Sequence, residues 1–348
     1  MKKHILTILI ALALWMGLAC TAAAAEISYT DVPAGHWAAE SIAKATELGI
    51  FNGVEEGLFG LGRPISRAEF VTALGRLFGW ETVKAENSFY TDVPAAAWYA
   101  DAVETARAHA AVAVSGKEFR PEAEVTRSEM ASMLLRSLGY TSLAGAASEY
   151  SSPFNDVTAN PGFITLAYDL GLMTGTAERT FEPDAPATRE QAATVLIRVY
   201  DQLSVDAVQL DSASGYRAIS IAVPMAKADT EIPITPLEPL TDLYATLRRM
   251  KYNGGNLSQA ALLLMAGGVQ TVAGEDGLDS RTLTYAEVQE ALDQPDAKSY
   301  YSDQYESAYC IYHPTEEQTV TLWYQSDKSM AAKLQLSKLF GVTHYVLE

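Results

Sequence analysis

Along the chain the large apolar residues keep to a few distinct rhythms. Phe70, Leu74, Leu77 and Phe78 recur at three- and four-residue spacing, as do Met130, Leu134 and Leu138, then Val195, Leu196, Val199 and Tyr200. That period lines up one side of a helix. Each run opens on a hydroxyl residue with an acid or amide three places on: Ser66 and Glu69, Thr126 and Glu129, Thr188 and Gln191. This is the capping box, in which the hydroxyl takes a backbone N–H of the helix start and the acid or amide reaches back. Such an N-cap contributes about 0.5–2 kcal/mol. A further one-sided helix is marked by Ile42, Ala45 and Leu48 and ends near Gly49. One-sided helices need partners, and three equivalent ones can bury their stripes against each other.

Beyond Leu203 the rhythm changes. Residues 204–214 read as a linker, and Pro233, Pro236 and Pro239 interrupt the next stretch. A buried strand is predicted over 218–223, a helix over 240–250 and a strand over 262–265. Another helix is predicted over 284–292, with Thr284 as N-cap and Glu287 three later. Residues 319–324 alternate as a strand, 329–340 have helical period, and 342–347 form a last strand. The alternation of strand and helix predicts α/β packing over 215–348.

The three capped helix starts belong to a longer repeat. Tyr29-Thr30-Asp31-Val32-Pro33 returns as Tyr90-Thr91-Asp92-Val93-Pro94 and, more loosely, as Phe154-Asn155-Asp156-Val157. Trp37 and Trp98 each stand six residues after their Asp. Phe59, Phe119 and Phe181 each stand eight residues before Arg67, Arg127 and Arg189. Three units are expected, over 27–85, 88–145 and 152–203.

The arginines carry the chemistry. Each sits at the first position of its helix, where the macrodipole disfavours a cation by about 0.3–1 kcal/mol. A design for stability alone would place Asp, Glu or Pro there. One such residue is ordinarily a solvated surface arginine, but three at one register point to anion binding. A helix start offers N–H donors, and guanidinium meets a carboxylate with two parallel hydrogen bonds. The inferred ligand carries carboxylates on a repeating polymer, contacted by Arg67, Arg127 and Arg189. Trp37 and Trp98 offer flat faces suited to sugar rings, and equally suit a hydrophobic core.

These residues resemble the S-layer homology domain, three copies of which anchor exported proteins to the bacterial cell wall. Asp-Val-Pro…Trp, the Phe-x-Pro turn and the Thr-Arg-Ala-Glu-like helix start carry the likeness, over about half of the chain. The resemblance implies a mainly α pseudo-trimer: three two-helix units around a central three-helix bundle. It also implies binding of pyruvylated secondary wall polysaccharide in grooves between units, with Arg67, Arg127 and Arg189 on the acidic ketal and Trp37 and Trp98 lining the grooves. This sequence departs from the pattern in three places. Leu61 stands where the other units have Pro121 and Pro183, and Ala110 where they have Gly49 and Gly171. Gly162-Phe163 occupies the site of the third tryptophan. The grooves are therefore expected to bind unequally, the third unit least.

The last segment resembles the C-terminal part of glycoside hydrolase family 18, and hence part of a TIM barrel. The likeness lies in 283–288, in 322–333 and in the ending Phe340-Gly341-Val342-Thr343-His344-Tyr345-Val346-Leu347, with Tyr345 where Trp is usual; 256–274 match more weakly. The family's catalytic signature, Asp-x-x-Asp-x-Asp-x-Glu, occurs nowhere in the chain. The residues after Leu203 are also too few for an eight-stranded barrel, which takes about 250. A truncated, non-catalytic relative is expected.

Composition narrows the setting. The 348 residues carry 25 Lys+Arg against 43 Asp+Glu, a net charge of −18. Without a basic run, this excludes a nucleic-acid scaffold and a polybasic membrane binder. Lys2, Lys3, the apolar run 5–18 and the alanines 22–25 read as a secretory signal peptide over 1–25. The run is shorter than the ~20 residues of a membrane span. Lipidation at Cys20 is the rival, with Gly17 where such sites usually want Leu. Cys310 reads as a small buried hydrophobe. The histidines at 4, 36, 109, 313 and 344 are scattered without metal-ligand spacing, and there is no nucleophile elbow or phosphate-binding loop. No catalytic residue, metal or cofactor is expected. Gly57, Gly60 and Gly62 fall in a turn, and Glu275, Asp276 and Asp279 read as solvated charges rather than a general-acid pair. The sum is an exported cell-surface protein held non-covalently on the wall, its partner a secondary wall polysaccharide or another peptidoglycan-linked polymer. Two alternatives stay open: a wall-anchored family-18-type hydrolase of wall or chitin-like glycans, and a structural surface-layer subunit.

Overall fold

The computed structural model describes residues 29–86, 88–113, 116–212, 217–219, 240–274, 277–302 and 305–347. The expected signal peptide, Cys20, Glu275 and Asp276 lie outside the described residues.

Up to residue 204 the chain is helical: α1 (Ala39–Glu47), α2 (Arg67–Phe78), α3 (Ala100–Ala108), α4 (Arg127–Ser137), α5 (Thr141–Ala147), α6 (Pro161–Asp169) and α7 (Arg189–Ser204). α2, α4 and α7 each open on a complete capping box, made by Ser66 and Glu69, Thr126 and Glu129, and Thr188 and Gln191. Their apolar stripes are buried, Phe70 and Leu74, Met130 and Leu134, and Leu196 and Val199 among them. Each repeat contributes a pair, α1–α2, α3–α4 and α6–α7, with α5 added between the second and third.

The pairs interleave. The first helix of each repeat lies on the second helix of the one before it: α3 on α2, α6 on α4, and α1 on α7. α2 also meets α4 and α7. The three stripes were expected to bury against each other; besides the contacts of α2 with α4 and α7, each is covered by a first helix. A stripe more than 100° wide needs more than one neighbour, and a first helix supplies the larger share. Just before the helix starts the backbones close a ring. Ile65 N–H donates to Ala187 C=O (2.9 Å), Ala187 N–H to Val125 C=O (2.8 Å), and Val125 N–H to Ile65 C=O (2.9 Å).

The remainder contains β1 (Val208–Leu210), β2 (Arg217–Ile219), α8 (Leu240–Tyr252), β3 (Ala260–Leu264), β4 (Gly268–Gly274), β5 (Gly277–Leu283), α9 (Tyr285–Leu292), β6 (Lys298–Ser302), β7 (Ser307–Thr315), β8 (Gln318–Tyr324), α10 (Asp327–Leu339) and β9 (His344–Leu347). Two sheets form. One is parallel, in the order β1-β9-β3-β2, and its strand β3 is apolar and buried throughout, as a parallel strand covered on both faces must be. The other is antiparallel, β5-β4-β8-β7-β6, with α9 covering the face that carries Cys310, Val320 and Leu322. The strand–helix alternation expected of a barrel fragment therefore holds for the first sheet alone. The segment 204–214, read as a linker, holds β1 instead, paired with β9.

One core runs through both halves, including Leu166 and Leu170 on one side and Leu243, Leu247, Leu264 and Leu336 on the other. The polar centre of that junction is Asp169, the last residue of α6 and fully buried. Its carboxylate accepts from Tyr244 Oη (2.6 Å), Tyr252 Oη (2.6 Å) and Arg248 Nε (2.7 Å), and its carbonyl from Lys251 Nζ (2.6 Å), all on α8. Burial and the carboxylate beside them push both tyrosine hydroxyls up. Among the described residues, no helix is long and apolar enough to cross a membrane.

Candidate inter-repeat grooves

The motif residues prove to be one device, built three times. Asp31 accepts from Phe59 N–H (2.8 Å), Gly60 N–H (2.7 Å) and Leu61 N–H (2.9 Å). Asp92 accepts from Phe119 and Arg120, and Asp156 from Phe181 and Glu182. Proline has no N–H, so Pro121 and Pro183 cannot give the third bond that Leu61 gives. The turn so fixed buries its Phe and aims that residue's carbonyl at the arginine of the repeat before it. Arg67 Nε donates to Phe119 O (2.8 Å), Arg127 Nε to Phe181 O (2.8 Å) and Arg189 Nε to Phe59 O (3.0 Å). Each guanidinium lies over the ring of the Phe it bonds, at 5.0, 4.5 and 5.1 Å.

These contacts revise the reason for a cation at the helix start. Most of the N–H groups there are already taken by the protein itself. Arg67 and Ala68 donate theirs to Ala123 and Pro121, Arg127 and Ser128 to Ala185 and Pro183, and Arg189 to Arg63. The capping hydroxyls take the third N–H of each helix, those of Glu69, Glu129 and Gln191. A neighbouring repeat's carbonyls thus fill the place expected for a ligand, and the arginine offsets the dipole by reaching those same carbonyls.

What stays open is the space beside the arginine. A groove of about 260 Å³ is lined by Arg63, Glu69, Thr72 and Arg76 of the first repeat, Arg189 of the third and Trp98 of the second. Trp98 is 66% exposed and Trp37 61%, so neither is a core residue. The sequence reading missed Arg76. It stands nine residues after Arg67, as Arg136 and Arg198 stand after Arg127 and Arg189. That fixed offset in all three units is the signal that would have found them. Arg76 Nη1 donates to Ile50 O (3.3 Å) and Arg198 Nη1 to Leu172 O (3.0 Å), while Arg136 lies 5.1 Å from the ring of Phe163.

Residues 28–71, 89–131 and 153–193 match the S-layer homology domain. The three repeats are S-layer homology domains. They make the chain a wall-associated protein of the cell surface. An S-layer protein of Bacillus thuringiensis subsp. finitimus is 24% identical over 213 residues, 61% of this chain and 26% of that protein. A surface layer protein of Brevibacillus choshinensis is 37% identical over 145 residues, 40% of this chain and 13% of that one. The exoglucanase XynX of Acetivibrio thermocellus is 27% identical over 177 residues, 49% of this chain and 16% of that one. The chain thus spans about a quarter or less of the length of these relatives. Among solved structures, the spore cortex-lytic enzyme SleL of Bacillus megaterium QM B1551 is 13% identical at a TM-score of 0.29, covering 45% of this chain and 39% of that one. A chitinase from Chromobacterium violaceum is 16% identical at 0.26, covering 49% and 45%. Scores at this level do not establish a shared fold.

The three grooves between the S-layer homology domains differ in charge. Oε1 of Glu69 takes both Arg189 and the exposed Arg63, and Oε1 of Glu129 takes both Arg67 and the exposed Arg120. The second cation lies four residues before Arg67 in one domain and seven before Arg127 in the other, so no alignment of the repeats reveals it. The third groove has Gln191, Ala185 and Glu182 at the corresponding places. The interleaving also moves the tryptophans. Phe163, which stands in place of the third tryptophan, lies against Arg136 of α4, whereas Trp37 leads into α1, which packs on α7. The tryptophan absent from the third domain is therefore absent beside α4 rather than beside α7.

Proposed function

We propose that the three S-layer homology domains act as a pseudo-trimer that holds the chain on the cell wall by binding secondary wall polysaccharide in the inter-repeat grooves. The observation that carries this reading is the first groove, where an exposed indole faces Arg63, Arg76 and the edge of Arg189. An aromatic face takes a sugar ring, and guanidinium groups take its hydroxyls and acidic substituents. The C-terminal half is proposed as non-catalytic, because the family-18 acid signature is missing from the chain.

Co-sedimentation with purified walls tests the anchoring. The protein should pellet with intact walls and stay in solution with walls stripped of their secondary polymer. Trp98→Ala should weaken binding about ten-fold, ~1.4 kcal/mol, without lowering the melting temperature. Equal pelleting with stripped walls would refute the reading.

A further inference from the structure

The antiparallel sheet ends on β5, whose inner side is paired with β4 along its whole length. The pairing runs from Gly277 opposite Gly274 to Leu283 opposite Gly268, with no shift of register. The outer side of β5 meets no other strand among the described residues. Six of its seven residues are exposed, Leu278 at 79%. Native sheets blunt such an edge with a proline, a bulge, lysines or a very short strand. The opposite edge follows that rule, since β6 has five residues and opens on Lys298. β5 has none of these devices: it is seven residues long and regular, without proline or lysine.

The two charges of β5 are placed symmetrically. Asp279 and Arg281 flank Ser280 and share the sheet face of their cross-strand neighbours Val272 and Gln270, the face that α9 covers. Ser280 points the other way, its hydroxyl 2.9 Å from that of Thr271. Asp279 makes no ion pair among the described residues, and its neighbour on β4 is the apolar Val272. Arg281 gives Nη1 to Glu287 Oε1 (2.8 Å) and has further donors on the same fork. Two β5 strands paired antiparallel and centred on Ser280 set each Asp279 opposite Arg281 of the other copy. Centring on Asp279 would set acid against acid, and on Arg281 base against base, both unfavourable. Pairing β5 with β6 of another copy would offer these charges only Ser299 and Tyr301, which share their face and are neutral.

We propose that β5 is a self-pairing edge, through which two copies of this chain join their antiparallel sheets into one continuous sheet about a two-fold axis at Ser280. Main-chain hydrogen bonds supply the attraction, and the two Asp279–Arg281 pairs set the register. The same strand serves both copies, so the contact is isologous and closes at the dimer. A single strand pair is a small interface, and the dimer is accordingly weak, with a dissociation constant of about 10–100 μM. The proposal is independent of what the grooves bind.

Sedimentation equilibrium of the full chain across that concentration range is the test. The parent should pass from monomer to dimer and go no further. Asp279→Arg sets base against base and Arg281→Asp acid against acid, so each variant alone should associate roughly ten-fold more weakly. An equimolar mixture of the two should dimerise like the parent, because the bases of one chain then face the acids of the other. Rescue by mixing also separates lost pairing from lost folding, since an unfolded variant gains nothing from its counterpart. A parent that stays monomeric, or association that continues past the dimer, overturns the proposal. So does a single variant that dimerises like the parent, or a mixture that associates no better than its components.

Discussion

At the scale of single residues, the motif cations hold the repeats together before they hold anything else. Arg127 gives two of its five N–H donors to carbonyls of the next repeat, and Arg189 gives Nε and Nη2 to Phe59 and Asn52. Truncation strands those carbonyls. Arg127→Ala and Arg189→Ala should each destabilise the fold by about 2–4 kcal/mol in urea unfolding. This reverses what a helix-start cation suggests from sequence, where its removal would relieve the dipole. A melt indistinguishable from the parent would show the bonds to be idle. The aspartates respond to acid. Burial would raise the Asp31 carboxyl, but the N–H groups of Leu61, Phe59 and Gly60 outweigh it and hold it below its ordinary value. Those of Phe181 and Glu182 do the same for Asp156. A depressed carboxyl contributes stability above its unfolded pKa of ~3.9, and that contribution is lost as pH falls through the lower folded value. Urea midpoints should therefore drop as pH falls below about 4, and Asp31→Asn should flatten the drop. An unchanged slope would count against the turn as an acid-sensitive point.

Elements were legible where a local rule decides them. The capping boxes and apolar periods place α2, α4 and α7 to the residue at their N-termini, and α8, α9 and α10 nearly so. Elements decided by distant partners were not. β5 is exposed at six of its seven positions and has no alternation to read, yet it is paired along its length with β4. β1 is three residues fixed by β9, more than 130 residues later. α5 is built from Thr, Ser, Leu, Ala and Gly, without a cap bond or a wide stripe. The arginines were visible as a repeat, but their bonds were not, because each partner lies in another repeat. One departure seen in the sequence has a physical cost. Ala110 ends α3 at φ 53°, where Gly49 and Gly171 take 69° and 70°. A left-handed conformation costs an L-residue about 1–2 kcal/mol. Ala110→Gly should therefore stabilise the protein by roughly 0.5–1 kcal/mol, read as a higher melting temperature. A lower one would mean that the Ala110 methyl group is worth more than the strain.

For the whole molecule, the halves are joined by a buried polar knot rather than a tether. Asp169→Ala would leave Arg248, Tyr244 and Tyr252 without their shared acceptor and should cost about 3–5 kcal/mol. Amide hydrogen exchange should rise first in α6 and α8. Protection unchanged there, with loss confined elsewhere, would show that apolar packing alone makes the junction. The closed ring of backbone bonds has a consequence for time. Arg189 and Phe59 are 130 residues apart in sequence, and Ile65 finds its acceptor only when Ala187 exists. A chain emerging from its N-terminus cannot finish its first repeat until the third has arrived, so the ring closes only after the last motif is made. Such long-range closure is slow. A chain held open for that interval is thin enough to thread a narrow passage and becomes wide only when the final arginine is through.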